Sequence, residues 1–484
     1  MEVESPLSSG DPTADYSGSG RTVFLLLDSG TSIRNILRTD VFARLRAEPE
    51  TRLVVFVPPP ALTAAFRREF AGPGVVLEPL ISQPPTARGK FWRSLRRDLW
   101  AATAGVDSYR GIRARNWIFP PRAGLLKLWA SRIAGGAAAL LERFWQKERA
   151  AFPLADHPLF HRYRPEVIFC GTLYPKDPCL ELIAPRLGVP VVALVHSWDN
   201  LTTKGPFPFQ PDRWIVWNDL LKGELERLHG VDPARIFVSG MPQSDLYVRR
   251  EGYWSREKFF AHHQLDPARR LIVYTSGPPG LVPMDPAIAE ILAGMVAANR
   301  WSDPCQLLVR LHPKDDPGRY AGLRGRPGVT VQLPGEKAAT NDGWNPSERE
   351  MHQLAETLCY ADVVVNIAST ITIDACAFDT PVVNVAFDGP RDLPPGRSCR
   401  RFYAFDHYRS IVATGGARMA FSAEELQRAL AAYLADPSLD AEGRERIRRE
   451  QYGVLDGQAG RRVAECILGG LGAATNEGER ETRP

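Results

Sequence analysis

At 484 residues the chain is too long for one hydrophobic core, and about 150 residues per domain suggests two or three domains. Its 44% hydrophobic and 24% charged content is that of a soluble globular protein, and 40 Gly with 41 Pro are too few for a low-complexity chain. A net charge of +4 argues neither for nor against nucleic acid. These totals exclude a fibre, a disordered scaffold and a small disulfide-stapled domain.

The seven cysteines (Cys170, Cys179, Cys305, Cys359, Cys376, Cys399 and Cys466) include no CxxC pair, which excludes a zinc ribbon and argues against a disulfide framework. The segment before Arg21 is polar and Gly/Ser-rich, which reads as neither a signal peptide nor an anchor. No run reaches the roughly 20 apolar residues of a membrane span. The longest, Leu125–Leu141, is broken by Lys127 and Arg132. A cytoplasmic protein is expected.

Residues 1–20 and 471–484 are expected to be disordered tails. Between them, β-branched runs predict strands at Thr22–Leu27, Leu53–Val57, Glu166–Cys170, Val191–Val195 and Trp214–Trp217, with helices at Val41–Ala47 and Leu220–His229. A second series predicts strands at Leu271–Thr275, Gln306–Leu311, Val329–Leu333, Val363–Ile367 and Val382–Phe387. Helices fit at Pro286–Asn299, Ser347–Cys359 and Ile371–Phe378, and then at Ser422–Asp436 and Ala441–Ile467. Continuous apolar strands spaced by helices indicate buried parallel strands. The predicted fold class is α/β, with two Rossmann-like parallel-sheet domains (21–245 and 246–421) facing a cleft. Helices at 422–470 follow and are candidates to pack back on the first domain.

One insert stands apart. Between Arg88 and Arg149 there are fourteen Lys/Arg against four acids, +10 locally, so the rest of the chain carries −6. The same stretch holds five of the eleven Trp: Trp92, Trp100, Trp117, Trp129 and Trp145.

Several chemistries are absent. No GxGxxG follows the first strand, so no dinucleotide cofactor is expected. There is no GxxxxGK[ST] loop, HExxH helix or GxSxG elbow. No Asp-x-Asp pair or ligand-spaced cluster suggests a metal. What remains is a cleft whose ligands belong at the carboxyl ends of strands.

Four segments meet that expectation. Arg310-Leu311-His312-Pro313 ends an apolar strand, and His312 could donate to a phosphate oxygen. Ser369 and Thr370 begin a helix after Val363–Ile367, where free N–H groups and hydroxyls favour an anion; Asp374, one turn on, could reach a sugar hydroxyl. His196 or Asp199, after Val191–Val195, could take a proton from a hydroxyl, and Lys204 could neutralise charge. Thr275-Ser276-Gly277 could approach a phosphate. Each segment taken alone also fits a surface turn, a helix cap or a structural loop.

Together these segments resemble a glycosyltransferase of the two-Rossmann GT-B architecture, and more narrowly the CDP-glycerol glycerophosphotransferase family of teichoic-acid-type polymer synthesis. That family's Trp-His-Gly loop with following Lys and Gly corresponds to His196 and Lys204-Gly205. Its Gly-x-Pro-Arg-x-Asp turn corresponds to Gly240–Asp245, with Gln243 in place of Arg. Its Arg-x-His-Pro is Arg310–Pro313, and its Asp-Tyr-Ser-Ser segment is matched by Ala361–Asp374 with Thr380-Pro381. The resemblance implies His196 as base, His312 on the donor phosphates, and Ser369 and Thr370 on the diphosphate. It also implies that the first domain takes the acceptor, the second takes a nucleotide-activated donor, and the acceptor is a glycan or lipid-linked.

Two other readings stay open: an epimerase of the UDP-N-acetylglucosamine 2-epimerase type, which would use cleft carboxylates such as Asp199, Asp245 and Asp374, and a non-catalytic nucleotide- or glycan-binding protein. The basic insert reads either as a solvated face or as a surface for anionic lipid at the inner face of the cytoplasmic membrane. No nucleic-acid motif accompanies its charge.

Overall fold

The computed structural model describes residues 20–81, 83–109, 122–132, 136–152, 157–333 and 345–469. The predicted tails, except Gly20, lie outside the described residues, as do Trp117, Arg110, Arg113 and Arg115 of the insert.

The first half builds a seven-stranded sheet from β1 (Arg21–Leu26), β2 (Thr51–Val57), β3 (Val75–Pro79), β4 (Val167–Cys170), β5 (Val191–Leu194), β6 (Arg213–Val216) and β7 (Ile236–Val238). The second builds a six-stranded sheet from β8 (Arg270–Thr275), β9 (Cys305–Arg310), β10 (Val329–Gln332), β11 (Val363–Asn366), β12 (Val382–Val385) and β13 (Arg418–Ala420). Their orders are β3-β2-β1-β4-β5-β6-β7 and β10-β9-β8-β11-β12-β13. Every pairing between these strands is parallel; Leu25 lies opposite Val55 and Phe169, and Tyr274 opposite Val309 and Val365. The two Rossmann-like sheets predicted from sequence are present.

Parallel strands covered on both faces must be apolar throughout, which is why Val23–Leu25 and Leu53–Val57 are fully buried. The edge strands β3, β7 and β13 were not predicted. An edge strand pairs on one side only and stays short, so Ile236–Val238 and Arg418–Ala420 carry too few apolar residues to be recognised. In each sheet the order reverses, between β1 and β4 and between β8 and β11. Connections leave in opposite directions there, opening a crevice at the carboxyl ends.

The predicted helix Ala441–Ile467 is two helices, Ala441–Tyr452 and Ala459–Gly469. They are separated by Gly453 and Gly457, whose φ of +69° and +72° only glycine adopts without strain. The second helix returns to the first half and packs on the helix Asp40–Ala47. Asp245 accepts the N–H groups of Ala459 and Gly460 at 3.0 and 2.8 Å, capping that helix. It therefore serves as a tie between halves and is not among the cleft residues.

The basic insert folds as the helices Ala87–Thr103, Arg122–Ala130 and Gly136–Ala150 around Leu99, Ala130, Leu140 and Phe144. Its reading as one lipid-facing surface needs correction. Arg96 is buried, donating to Glu148 at 2.9 Å and to the Phe207 carbonyl at 2.7 Å, and Arg93 donates to Glu148 at 2.5 Å. Trp100 is buried and stacks on His229 with ring centres 5.3 Å apart, while Trp145 joins the main core. The exposed apolar residues lie mainly on the middle helix, where Leu125, Leu128 and Trp129 are 67%, 50% and 50% exposed, with Phe91 of the first helix at 51%.

Candidate functional site

A cleft of about 530 Å³ lies between the halves, where the carboxyl ends of the strands meet. From the second half it is lined by Thr275, Ser276 and Gly277 after β8, by Arg310, His312 and Pro313 at the end of β9, and by Ser369, Thr370 and Asp374 after β11. From the first half, His196 and Asp199 after β5 line it. Of the residues predicted from sequence, Asp245 and Lys204 do not. Asp245 caps the last helix, and Lys204 stands apart. It is exposed beyond the short helix Asn200–Thr203 and acts on the site through its charge on Asp199.

On the second-half wall, hydrogen bonds tie the strand ends together. Ser276 Oγ accepts the His312 N–H at 2.9 Å and donates to Asp315 at 2.9 Å. Its only proton is thus committed to Asp315, and Ser276 braces the turn where a phosphate contact had been expected. Gly277 is similarly occupied, its N–H donating to Asp285 at 2.7 Å. A Cβ there would meet Val282 Cγ2 at 2.3 Å, so glycine is required by close approach. Thr275 Oγ1 is buried without a hydrogen-bond partner among the described residues.

The His312 ring is the part of this turn suited to chemistry. Its Nδ1 accepts the Lys314 N–H at 3.0 Å, so the neutral ring carries its proton on Nε2. Burial, helped by the Lys314 charge, pushes its pKa down to about 4, so the ring is neutral near pH 7. Arg310 is buried and donates to Gln332 at 2.7 Å; burial pushes it down to about 10, and Glu350 opposes that shift.

Ser369 and Thr370 precede the helix Ile371–Cys376. Ser369 Oγ accepts the Ile371 N–H at 3.3 Å, which leaves its own proton to donate. The Ser369 N–H donates to Asn366 at 3.1 Å, and Thr372, Ile373 and Asp374 bond back to Ser369 and Thr370 carbonyls. The free N–H groups expected here therefore reduce to that of Thr370, and the hydroxyls carry more of the anion-binding capacity. Ala368 before them holds a strained φ of +42°, its N–H donating to Tyr403 at 3.1 Å.

Asp374 is more structural than its spacing suggests. Its Oδ1 accepts Tyr247 at 3.2 Å and Tyr452 at 3.3 Å, and burial raises its pKa to about 6 against the Arg34 charge. Tyr247, Tyr452 and Arg34 come from three separate elements, so Asp374 joins the halves at the cleft floor.

On the first-half wall, Asp199 accepts Ser197 Oγ at 2.5 Å and Thr203 Oγ1 at 2.9 Å. Burial pushes its carboxyl up, but His407, Lys204 and these two hydroxyls together hold it below its ordinary value. His407 was missed from sequence. It lies on the helix Asp406–Thr414, past a long loop after β12, where no strand-end pattern marks it. Thr31 and Arg34, on the helix Gly30–Leu37, also line the cleft and were missed. Their signal is the Ser29/Ser32 capping box directly after β1.

No protein-family model and no curated protein matches the chain. Solved structures do. S. aureus MnaA in complex with UDP superposes with a TM-score of 0.53 at 11% identity, over 93% of this chain and 97% of that one. The UDP-GlcNAc 2-epimerase of Neisseria meningitidis bound to UDP-GlcNAc gives 0.50 at 10% identity, over 93% and 100%. A glycosyltransferase of Rickettsia africae gives 0.50 at 10% identity, over 94% and 99%. At such identities the likeness is one of fold: the chain has the two-Rossmann GT-B fold.

Proposed function

We propose that the chain is a metal-independent transferase that moves a glycosyl or glycerol-phosphate group from a nucleotide-diphosphate donor to a glycan or lipid-linked acceptor in cell-envelope polysaccharide synthesis. One observation carries this reading: His312, Ser369 and Thr370 of the second half line the same cleft as His196 and Asp199 of the first. The donor diphosphate sits against the second-half residues, with Arg310 and Lys314 adding positive charge. The acceptor hydroxyl loses its proton to a base lining the cleft, for which His196 and Asp199 are the sequence candidates. Its oxygen bonds to the transferred group as the bond to the nucleotide breaks. His312 Nε2–H then hydrogen-bonds the departing phosphate oxygen.

The motif resemblance favours a CDP-glycerol-type donor, and the fold is shared with proteins solved with UDP and UDP-GlcNAc. Against an epimerase, each acid lining the cleft is already engaged: Asp199 with two hydroxyls, Asp374 with two tyrosines, and Glu350 electrostatically with Arg310.

Membrane association belongs to the same proposal, now confined to the exposed helix Arg122–Ala130 with Lys127 and the neighbouring Arg132. No helix among the described residues is long and apolar enough to cross a membrane. The deciding experiment screens CDP-, UDP-, GDP- and CMP-linked donors by thermal shift, then assays products in EDTA with and without acceptor. A ligand at 100 times its dissociation constant stabilises by about 2.7 kcal/mol. Acceptor-dependent transfer supports the reading; a 2-epimer formed without acceptor, or binding without turnover, replaces it.

A further inference from the structure

We infer that His407, supplied by the second half, is the group that takes the acceptor proton, with Asp199 of the first half as its electrostatic partner. The inference rests on the transferase reading and deepens it by naming the base. His407 lines the cleft, its ring packed edge-on against Trp198 with centres 5.0 Å apart and tilted against Phe405 at 5.8 Å. Its Nδ1 lies 3.2 Å from Thr202 Oγ1, on the short helix that follows Asp199. Behind it, Asp406 accepts both the N–H and the hydroxyl of Ser108 at 2.8 and 2.9 Å, and its own N–H donates to Ser108 Oγ at 2.6 Å. A residue of the second half is thus locked in place by two elements of the first.

The role requires one arrangement of protons. Thr202 Oγ1 lies 3.2 Å both from His407 Nδ1 and from the Asp199 carbonyl, which also accepts the Thr202 and Thr203 N–H groups at 3.2 and 2.9 Å. For His407 to act as the base, Thr202 Oγ1 donates to that carbonyl and accepts from His407 Nδ1–H. That leaves the lone pair on Nε2. His312, with its proton on Nε2, has the opposite tautomer, so one histidine is set to accept a proton and the other to donate a hydrogen bond.

Asp199 itself is a poor base, because its carboxylate is stabilised by two donors and held below its ordinary value. Burial lowers the pKa of His407, and the Asp199 and Asp406 charges oppose that shift. When Nε2 takes the hydroxyl proton, the acceptor oxygen bonds to the transferred group and the nucleotide departs, as the diphosphate when a glycosyl group moves and as the monophosphate when glycerol phosphate moves. The imidazolium so formed is stabilised by Asp199 and Asp406.

Two measurements test this. Histidine-selective ¹⁵N labelling of the full chain, with signals assigned through His407→Gln and His312→Gln, reads the tautomers directly. Protonated Nδ1 at His407 and protonated Nε2 at His312 are expected, and protonated Nε2 at His407 overturns the inference whether or not the protein transfers anything. With a donor and acceptor that the wild type turns over, His407→Gln and His407→Ala should lower kcat by about 10²–10⁴-fold. Binding of UDP or CDP should stay within about twofold, and imidazole should restore part of the His407→Ala rate. Unchanged kcat in folded His407→Gln, with loss in His196→Ala, returns the role to His196. Absence of transfer by the wild type defeats the transferase reading instead, while the tautomer measurement still decides the state of His407.

Discussion

Ser276 Oγ and the backbone N–H of His312 are joined by a 2.9 Å hydrogen bond that ties the carboxyl ends of the adjacent strands β8 and β9. The same hydroxyl donates to Asp315, which also accepts Tyr320 at 2.7 Å. Ser276→Ala leaves the His312 N–H without its partner and removes one of the two donors to Asp315 Oδ2. A loss of about 1–3 kcal/mol is expected in urea unfolding, because Ser276 and Asp315 are buried. If stability is unchanged, water replaces the hydroxyl and the turn does not depend on it.

Ser369→Ala with Thr370→Val should weaken nucleotide binding. Each hydroxyl donated to a phosphate is worth about 1.5–3 kcal/mol, so the dissociation constant should rise at least tenfold. Isothermal titration with the donor found in the screen measures it. An unchanged constant would sink the diphosphate assignment.

Stability should fall as pH rises from about 7 to 8, and Glu181 is one cause. Burial, with Asp28 and Asp177 adding like charge, raises its carboxyl to about 8. Its ordinary value is 4.5, so the folded chain keeps a proton that the unfolded chain releases. The resulting stabilisation is complete below the unfolded value and is lost as pH climbs through about 8. The depressed histidines act the other way but lower down: His229, His263 and His312 go from about 4 in the folded chain to 6.5 on unfolding, so they add stability as pH rises to about 7 and little beyond it. Unfolding free energies at pH 7 and pH 8 should therefore differ for the wild type, and the gap should shrink in Glu181→Gln.

Vesicle binding should depend on the helix Arg122–Ala130. Lys127→Glu with Arg132→Glu should reduce co-sedimentation with anionic liposomes, at about 1 kcal/mol per charge near the surface. Trp129→Ala should reduce it further by removing an interfacial anchor. Nucleotide binding should be untouched, because neither change is near the cleft. Equal sedimentation with neutral and anionic vesicles would identify the helix as a solvated face. Arg93 and Arg96 are unsuitable probes, since reversing them breaks the buried contacts with Glu148.

The sequence by itself determined the two parallel sheets and most of the cleft. Strands such as Leu53–Val57 and Val363–Asn366 are buried on both faces, so their apolar character is continuous and visible without partners. In such sheets the functional loops follow the strand ends, which is why His196, His312 and Ser369 could be found by position. Tertiary structure alone decided the rest. His407 reaches the cleft from a helix with no strand directly before it, brought there by Thr202, 205 positions away, and by Ser108, which bonds the adjacent Asp406 across 298 positions. Ser276 and Asp374 carry the polar groups of a binding site, yet Asp315, Tyr247 and Tyr452 claim them, and no local pattern shows a distant partner. The insert makes the same point with charge. Arg93 and Arg96 add to a basic composition, but Arg96 and Glu148 are buried and obliged to pair, with half-buried Arg93 joining them, because an unpaired charge out of water costs several kcal/mol.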